Sequence, residues 1–79
     1  MNIFIANLNY KIRSEKLQEI FKEYGKVSSA KIIFDRETKR SKGFGFVEMT
    51  NDEQAAQAIE DLNGVELEGR QIVVKKANE

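Results

Sequence analysis

Phe44 and Phe46 stand two residues apart in the stretch KGFGFVEM, residues 42–49, with Lys42 before them and Glu48 after. Side chains on a strand alternate between two faces. Lys42, Phe44, Phe46 and Glu48 therefore share one face, and Gly43, Gly45, Val47 and Met49 share the other. The face with both charges should be wet, yet it also holds both rings. Bond-making chemistry has few candidates in the rest of the chain. There is no histidine and no cysteine, which removes imidazole catalysis, zinc-finger ligand sets and disulfides. No carboxylate pair stands out. What the sequence offers is rings and charges, and the question is why two large rings should face water.

The elements that must position them can be read from the spacing. With 79 residues, the chain is at most a single domain over residues 1–79, with a small core and marginal stability. Residues 2–6, NIFIA, are short, apolar and β-prone and predict a strand. From Ser14 the period changes: Leu17, Ile20, Phe21 and Tyr24 fall on one helical stripe. Ser14 suits the N-cap, Glu15 the positive helix start, and Gly25 the C-terminal stop. Residues 27–34, VSSAKIIF, predict a second strand, DRETKRSK a charged loop, and 42–49 the third strand. Thr50 and Glu53 have capping-box spacing before a second helix. Its stripe is Ala55, Ala58 or Ile59, and Leu62, and Asn63-Gly64 ends it. VELEGR suits a small hairpin, and QIVVKK a last strand.

The order is βαββαβ, an α+β ferredoxin-like sandwich with a four-stranded antiparallel sheet. Right-handed connections place both helices on one face of the sheet. The other face stays open to water. In the first strand Ile3 and Ile5 point to the core, and Asn2, Phe4 and Ala6 to the open face. In the last, Ile72 and Val74 point to the core, and Gln71, Val73 and Lys75 outward. Three rings, Phe4, Phe44 and Phe46, thus share the open face of the two strands expected at the sheet centre.

KGFGFVEM resembles the octamer signature of the RNA-recognition-motif family, and IFIANL at residues 3–8 resembles that family's hexamer signature. LQEIFKEYG, DRETKRSKG and AIEDLNGVELEGRQIVV extend the resemblance over essentially the whole chain. The family binds single-stranded RNA on the open sheet face, stacking two or three bases on the signature aromatics. By motif position, the resemblance implies stacking on Phe4, Phe44 and Phe46. It implies that Lys42, at the first octamer position, meets the phosphate backbone. Lys31, Lys75 and Asn2 share the same open face by parity, and Arg36, Lys39 and Arg40 make a basic loop beside it, so all six are further candidates for backbone or base contacts. Gly43 and Gly45 are expected to let helix backbone approach the sheet. Met49 departs from the octamer's final aromatic, Ala6 from the hexamer's frequent glycine, and Lys39 from a loop position that often holds glycine. Asn7 and Asn9 suit turn chemistry.

Net charge is zero, but the charges are segregated along the chain. Residues 11–42 carry ten Lys or Arg against five Asp or Glu, and residues 43–69 carry seven acids and no base. Asp52, Glu53, Glu60 and Asp61 fall on the second helix, so an acidic back and a basic binding side are expected. No segment approaches the roughly 20 apolar residues of a membrane span. The sequence ends at Glu79 with no glycine-rich or arginine-rich tail. The expectation is a monomeric, cytoplasmic, bacterial RNA-binding module, with affinity on the order of micromolar, about −8 kcal/mol. Single-stranded DNA is a competing partner, and no cofactor, metal, membrane or small-molecule substrate is expected. Two other classes share the fold: a protein-interaction module and a small acyl-phosphate hydrolase. The hydrolase needs an anion-cradling loop after the first strand, and NLNYKIR lacks glycine, so the chain is not expected to be an enzyme.

Overall fold

The computed structural model describes residues 1–77; Asn78 and Glu79, where the tail ends, lie outside the described residues. The elements in chain order are β1 (Asn2–Ala6), α1 (Ser14–Lys22), β2 (Val27–Phe34), β3 (Ser41–Met49), α2 (Asp52–Leu62), β4 (Glu66–Leu67), β5 (Arg70–Gln71) and β6 (Val73–Lys76). The main sheet has strand order β2-β3-β1-β6, and β4 and β5 pair separately. All pairings are antiparallel. This is the expected βαββαβ sandwich, with the last strand divided at Ile72 into β5 and β6. Among the described residues no helix is long and apolar enough to cross a membrane.

Both helices bury their stripes against the parity of Ile3, Ile5, Val47, Met49, Ile72 and Val74, all nearly or fully inaccessible. Leu17 and Phe21 enter from α1, and Ala55 and Ala58 from α2. Tyr24 sits only half in this core. Its partial burial and the Asp61 carboxylate beside it raise its phenol above the ordinary value. Leu8 and Ile12, in the β1–α1 loop, are also core residues. Their polar neighbours mask them from any periodicity.

The helix starts differ from expectation. Ser14 is the first residue of α1, and Arg13 is its N-cap, with no side-chain cap bond. In α2 the cap is Asn51 and not Thr50: the Asn51 Oδ1 accepts from the Gln54 N–H at 2.9 Å. Asparagine is at least as good a cap as threonine, and one residue of slip suffices. Gly25 is not a left-handed helix stop. A side chain there would collide with Gln54 of α2, so the glycine lets the α1–β2 turn and α2 come together.

The strand glycines also act on other partners than the helices. Gly45 faces β2, where an added methyl would collide with the Lys31 carbonyl oxygen and press on Ile32 Cα. Gly43 has φ +83, and a methyl there would touch Tyr10 and the Leu8 carbonyl oxygen. It therefore serves the β1–α1 loop. Gly45→Ala should destabilise by about 1–3 kcal/mol, even after the smaller unfolded-state entropy of alanine is counted. Urea denaturation measures this; a loss below about 0.5 kcal/mol would mean that β2 yields freely to the methyl.

Candidate nucleic-acid interface

Strand register converts the open face into rows that run across the sheet. Lys31 pairs with Phe46 across β2 and β3. Phe46 pairs with Phe4 across β3 and β1. Phe4 pairs with Lys75 across β1 and β6. The central row is therefore Lys31, Phe46, Phe4, Lys75: two rings between two cations. On one side lies a polar row, in which Glu48 pairs with both Asn2 and Ser29. On the other lies an apolar row of Phe44, Ala6 and Val73, the last two a direct pair. Rows two residues apart along a strand are separated by about 7 Å.

The three rings form one cluster. Phe4 lies 5.7 Å from Phe44 and 5.5 Å from Phe46, both tilted, and Phe44 meets Phe46 edge-on at 6.5 Å. These are favourable aromatic geometries, and they hold each ring half-buried by its neighbours, on the face away from the helices. The Lys75 Nζ sits 5.6 Å from the Phe4 ring centre, within cation–π range. Asn2, Ser29, Lys31, Phe46 and Glu48 line a cleft of about 330 Å³ beside the central row.

The basic loop between β2 and β3 is a separate feature. Arg36, Lys39 and Arg40 are exposed, and among the described residues the cation–π contacts are made by Arg70 and Lys75 and not by these three. The loop is tied by Asp35, whose Oδ1 accepts from the Glu37 N–H at 2.8 Å and the Thr38 N–H at 3.2 Å. The Thr38 and then the Glu37 backbone bonds hold the Asp35 carboxyl below its ordinary value. A depressed carboxyl stabilises above its unfolded pKa and releases as pH falls, so the turn is tied at neutral pH. Lys39 keeps the left-handed backbone, φ +61, that a glycine would adopt freely. The loop shape thus survives the departure from glycine, at a strain on the order of 1 kcal/mol. Lys42 is exposed at the start of β3, beside Phe44. Among the described residues the one ion pair joins the Met1 ammonium to Asp52, at 3.6 Å.

Asn7 and Asn9 do turn work, as expected. Asn7 adopts φ 59, and its Nδ2 donates to the Gln71 carbonyl at 2.7 Å. The Asn9 Nδ2 donates to the Glu68 carbonyl at 3.0 Å, and its Oδ1 accepts from the Lys11 N–H at 2.9 Å. Both therefore fasten the β1–α1 loop to the β4–β5 hairpin, whose turn residues Glu68 and Gly69 have φ 50 and 81. Leu8 and Ile12, buried beneath, pack this loop against the core. Tyr10 and Arg70, which neither signature includes, also stand on this side. Only the solitary aromatic in NLNYK hinted at the first.

The RNA recognition motif profile matches residues 3–73. The 28 kDa chloroplastic ribonucleoprotein of Spinacia oleracea is 51% identical over 75 residues, covering 95% of this chain and 32% of that protein. The chain spans less than a third of the chloroplast ribonucleoproteins of this kind that it matches. The putative RNA-binding protein RbpB of Nostoc sp. is 47% identical over 77 residues, covering 98% of this chain and 75% of that protein. The crystal structure of RNA Binding Protein PG1 superposes with a TM-score of 0.97 at 52% identity, covering 100% of this chain and 95% of that one. Signatures, fold and relatives agree: the chain belongs to the RNA-recognition-motif family.

Proposed function

We propose that this domain binds single-stranded RNA on its open sheet face, with bases lying on Phe4 and Phe46 and against Phe44. The carrying observation is the central row, two rings flanked by Lys31 and Lys75 on a sheet face that neither helix covers. Stacking on such a ring is worth about 1–3 kcal/mol per base, and an exposed cation–π contact about 0.5–1 kcal/mol. The base wins that competition, so Lys75 leaves the Phe4 ring face and turns to the phosphate backbone. Lys31 serves the backbone at the opposite edge. Lys42, Arg36, Lys39 and Arg40 add long-range attraction from the loop end. Asn2 and Glu48 present polar groups to base edges, and the Glu48 carboxylate keeps phosphates away from that flank.

Few cations stand on the face itself, so few phosphates are contacted. With about two or three contacts, log affinity should fall with log salt at a slope of about −1.5 to −2. NMR titration of the domain with short randomised RNA and DNA pools tests the reading. Shifts should concentrate on β1, β3 and Lys75. Shifts confined to the helices would remove it, and a salt slope indistinguishable from zero would remove the phosphate contacts. The DNA pool tests competition, since the 2′-hydroxyl is what separates the two. A monomer suffices, because one chain supplies the whole face. We place the domain in a bacterial cytoplasm; the Nostoc relative supports the bacterial part of that reading, beside relatives that are chloroplast proteins of plants. Nothing in the geometry favours the protein-interaction or hydrolase readings over this one.

A further inference from the structure

The open face does not stop at the apolar row. Beyond Phe44, toward the start of β3, a cleft of about 280 Å³ is lined by Asn7, Tyr10, Lys42, Gly43, Phe44 and Arg70 among others. Tyr10 is the most exposed large hydrophobic side chain of the described residues, at 66%. Exposed aromatics in loops are usually mobile, but this one is held. The guanidinium of Arg70 stands over its ring, 5.8 Å from the centre. Arg70 is itself fixed, donating from Nη2 to the Asn7 Oδ1 at 2.7 Å, and Asn7 is anchored to Gln71. On another side the ring lies where a Gly43 side chain would touch it at 3.4 Å. Neither Lys42 nor Arg70 has an ion-pair partner among the described residues.

We infer that this cleft is a further nucleotide subsite: it takes a phosphate of the RNA strand between Lys42 and Arg70, and the attached base lies on Tyr10. The inference rests on the sheet-face reading above and extends its footprint by one nucleotide past Phe44. Charge and exposure assign the parts: Lys42 and Arg70 line the cleft and take the anion, which leaves the base to the exposed Tyr10 ring. Arg70 uses one of its five N–H donors on Asn7, so donors remain for an anion. Its hydrogen bond and its place over the ring preorganise it, so little side-chain entropy is lost on binding.

Length dependence separates this subsite from the rings. Randomised RNA pools of about four and about seven nucleotides are compared by fluorescence anisotropy against wild type, Tyr10→Ala, Tyr10→Phe and Arg70→Gln. The wild type should gain about tenfold on the longer pool beyond the statistical gain in registers, the scale of one stacked base. Tyr10→Ala should lose that gain and keep its affinity for the short pool, and Tyr10→Phe should retain both. Arg70→Gln should lower the salt slope on the long pool alone by about 0.7, one phosphate's worth on a single strand. Short-pool binding with a length gain unchanged in Tyr10→Ala would overturn the subsite alone. No binding of either pool by the wild type would overturn the sheet-face reading, and the subsite with it.

Discussion

Replacing Phe44 and Phe46 together by alanine is expected to leave a folded domain that no longer holds RNA. Each ring stacks with about 1–3 kcal/mol per base, so the pair removes about 2–6 kcal/mol. From a micromolar complex, about −8 kcal/mol, even the lower figure weakens binding about thirtyfold, and the upper one carries it past millimolar. Neither ring belongs to the buried core cluster, so the core survives the double substitution; the loss is three tilted or edge-on ring pairs, worth about 0.5–1.5 kcal/mol each, which lowers stability and leaves the fold in place. The strand itself is secured by Val47 and Met49 on the opposite parity, both fully buried. Far-UV circular dichroism and anisotropy on a mixed RNA pool read the two halves of the expectation. A double variant that binds as the wild type does would end the stacking mechanism.

Phe21→Ala should do the reverse, removing the fold and with it everything the fold presents. Phe21 is the largest of the fully buried side chains. Deleting such a ring typically costs about 3–5 kcal/mol, through the forfeited transfer energy and the cavity left behind. A chain of this length has about 4–12 kcal/mol of total stability. The variant should therefore melt at least about 12 °C lower, at about 4–8 °C per kcal/mol for domains of this size. If the wild type lies at the low end of the stability range, the variant is largely unfolded at room temperature. Thermal unfolding followed by circular dichroism gives the value. A loss under about 1 kcal/mol would place the centre of the core elsewhere.

The contrast between these phenylalanines was legible in the sequence, because period alone separates them. Phe21 lies on a helical stripe, and Phe44 and Phe46 lie on the charged parity of a strand. Strand alternation likewise assigned Ile3, Ile5, Ile72 and Val74 to the core. What period could not reach were residues held by partners distant in the chain. Leu8 and Ile12 are buried by chain path, not by pattern. Asn51 replaces Thr50 as the α2 cap by a one-residue slip that two good capping residues in succession leave open. The roles of Gly25, Gly43 and Gly45 depend on Gln54, Tyr10 and Lys31, none of them a neighbour in sequence. The placement of Tyr10 by Arg70 and Asn7 is of the same kind, since 63 positions of chain separate the two residues that hold the ring. Parity puts Lys31 and Lys75 in the central row. The loop cations Arg36, Lys39 and Arg40 have no such constraint, because a long side chain on a loop takes its direction from geometry that no motif encodes.

The central row has a property that bears on strand polarity. In residue type Lys31, Phe46, Phe4 and Lys75 read the same from either edge of the sheet, so, once bases have displaced Lys75 from the Phe4 ring, a nucleic-acid chain crossing them meets the same order of groups whichever end leads. These four residues are palindromic and cannot by themselves distinguish 5′-to-3′ from 3′-to-5′ passage. Directionality has to come from the unequal flanks, acidic at Glu48 and aliphatic at Val73, which a half-turn of the ligand would exchange.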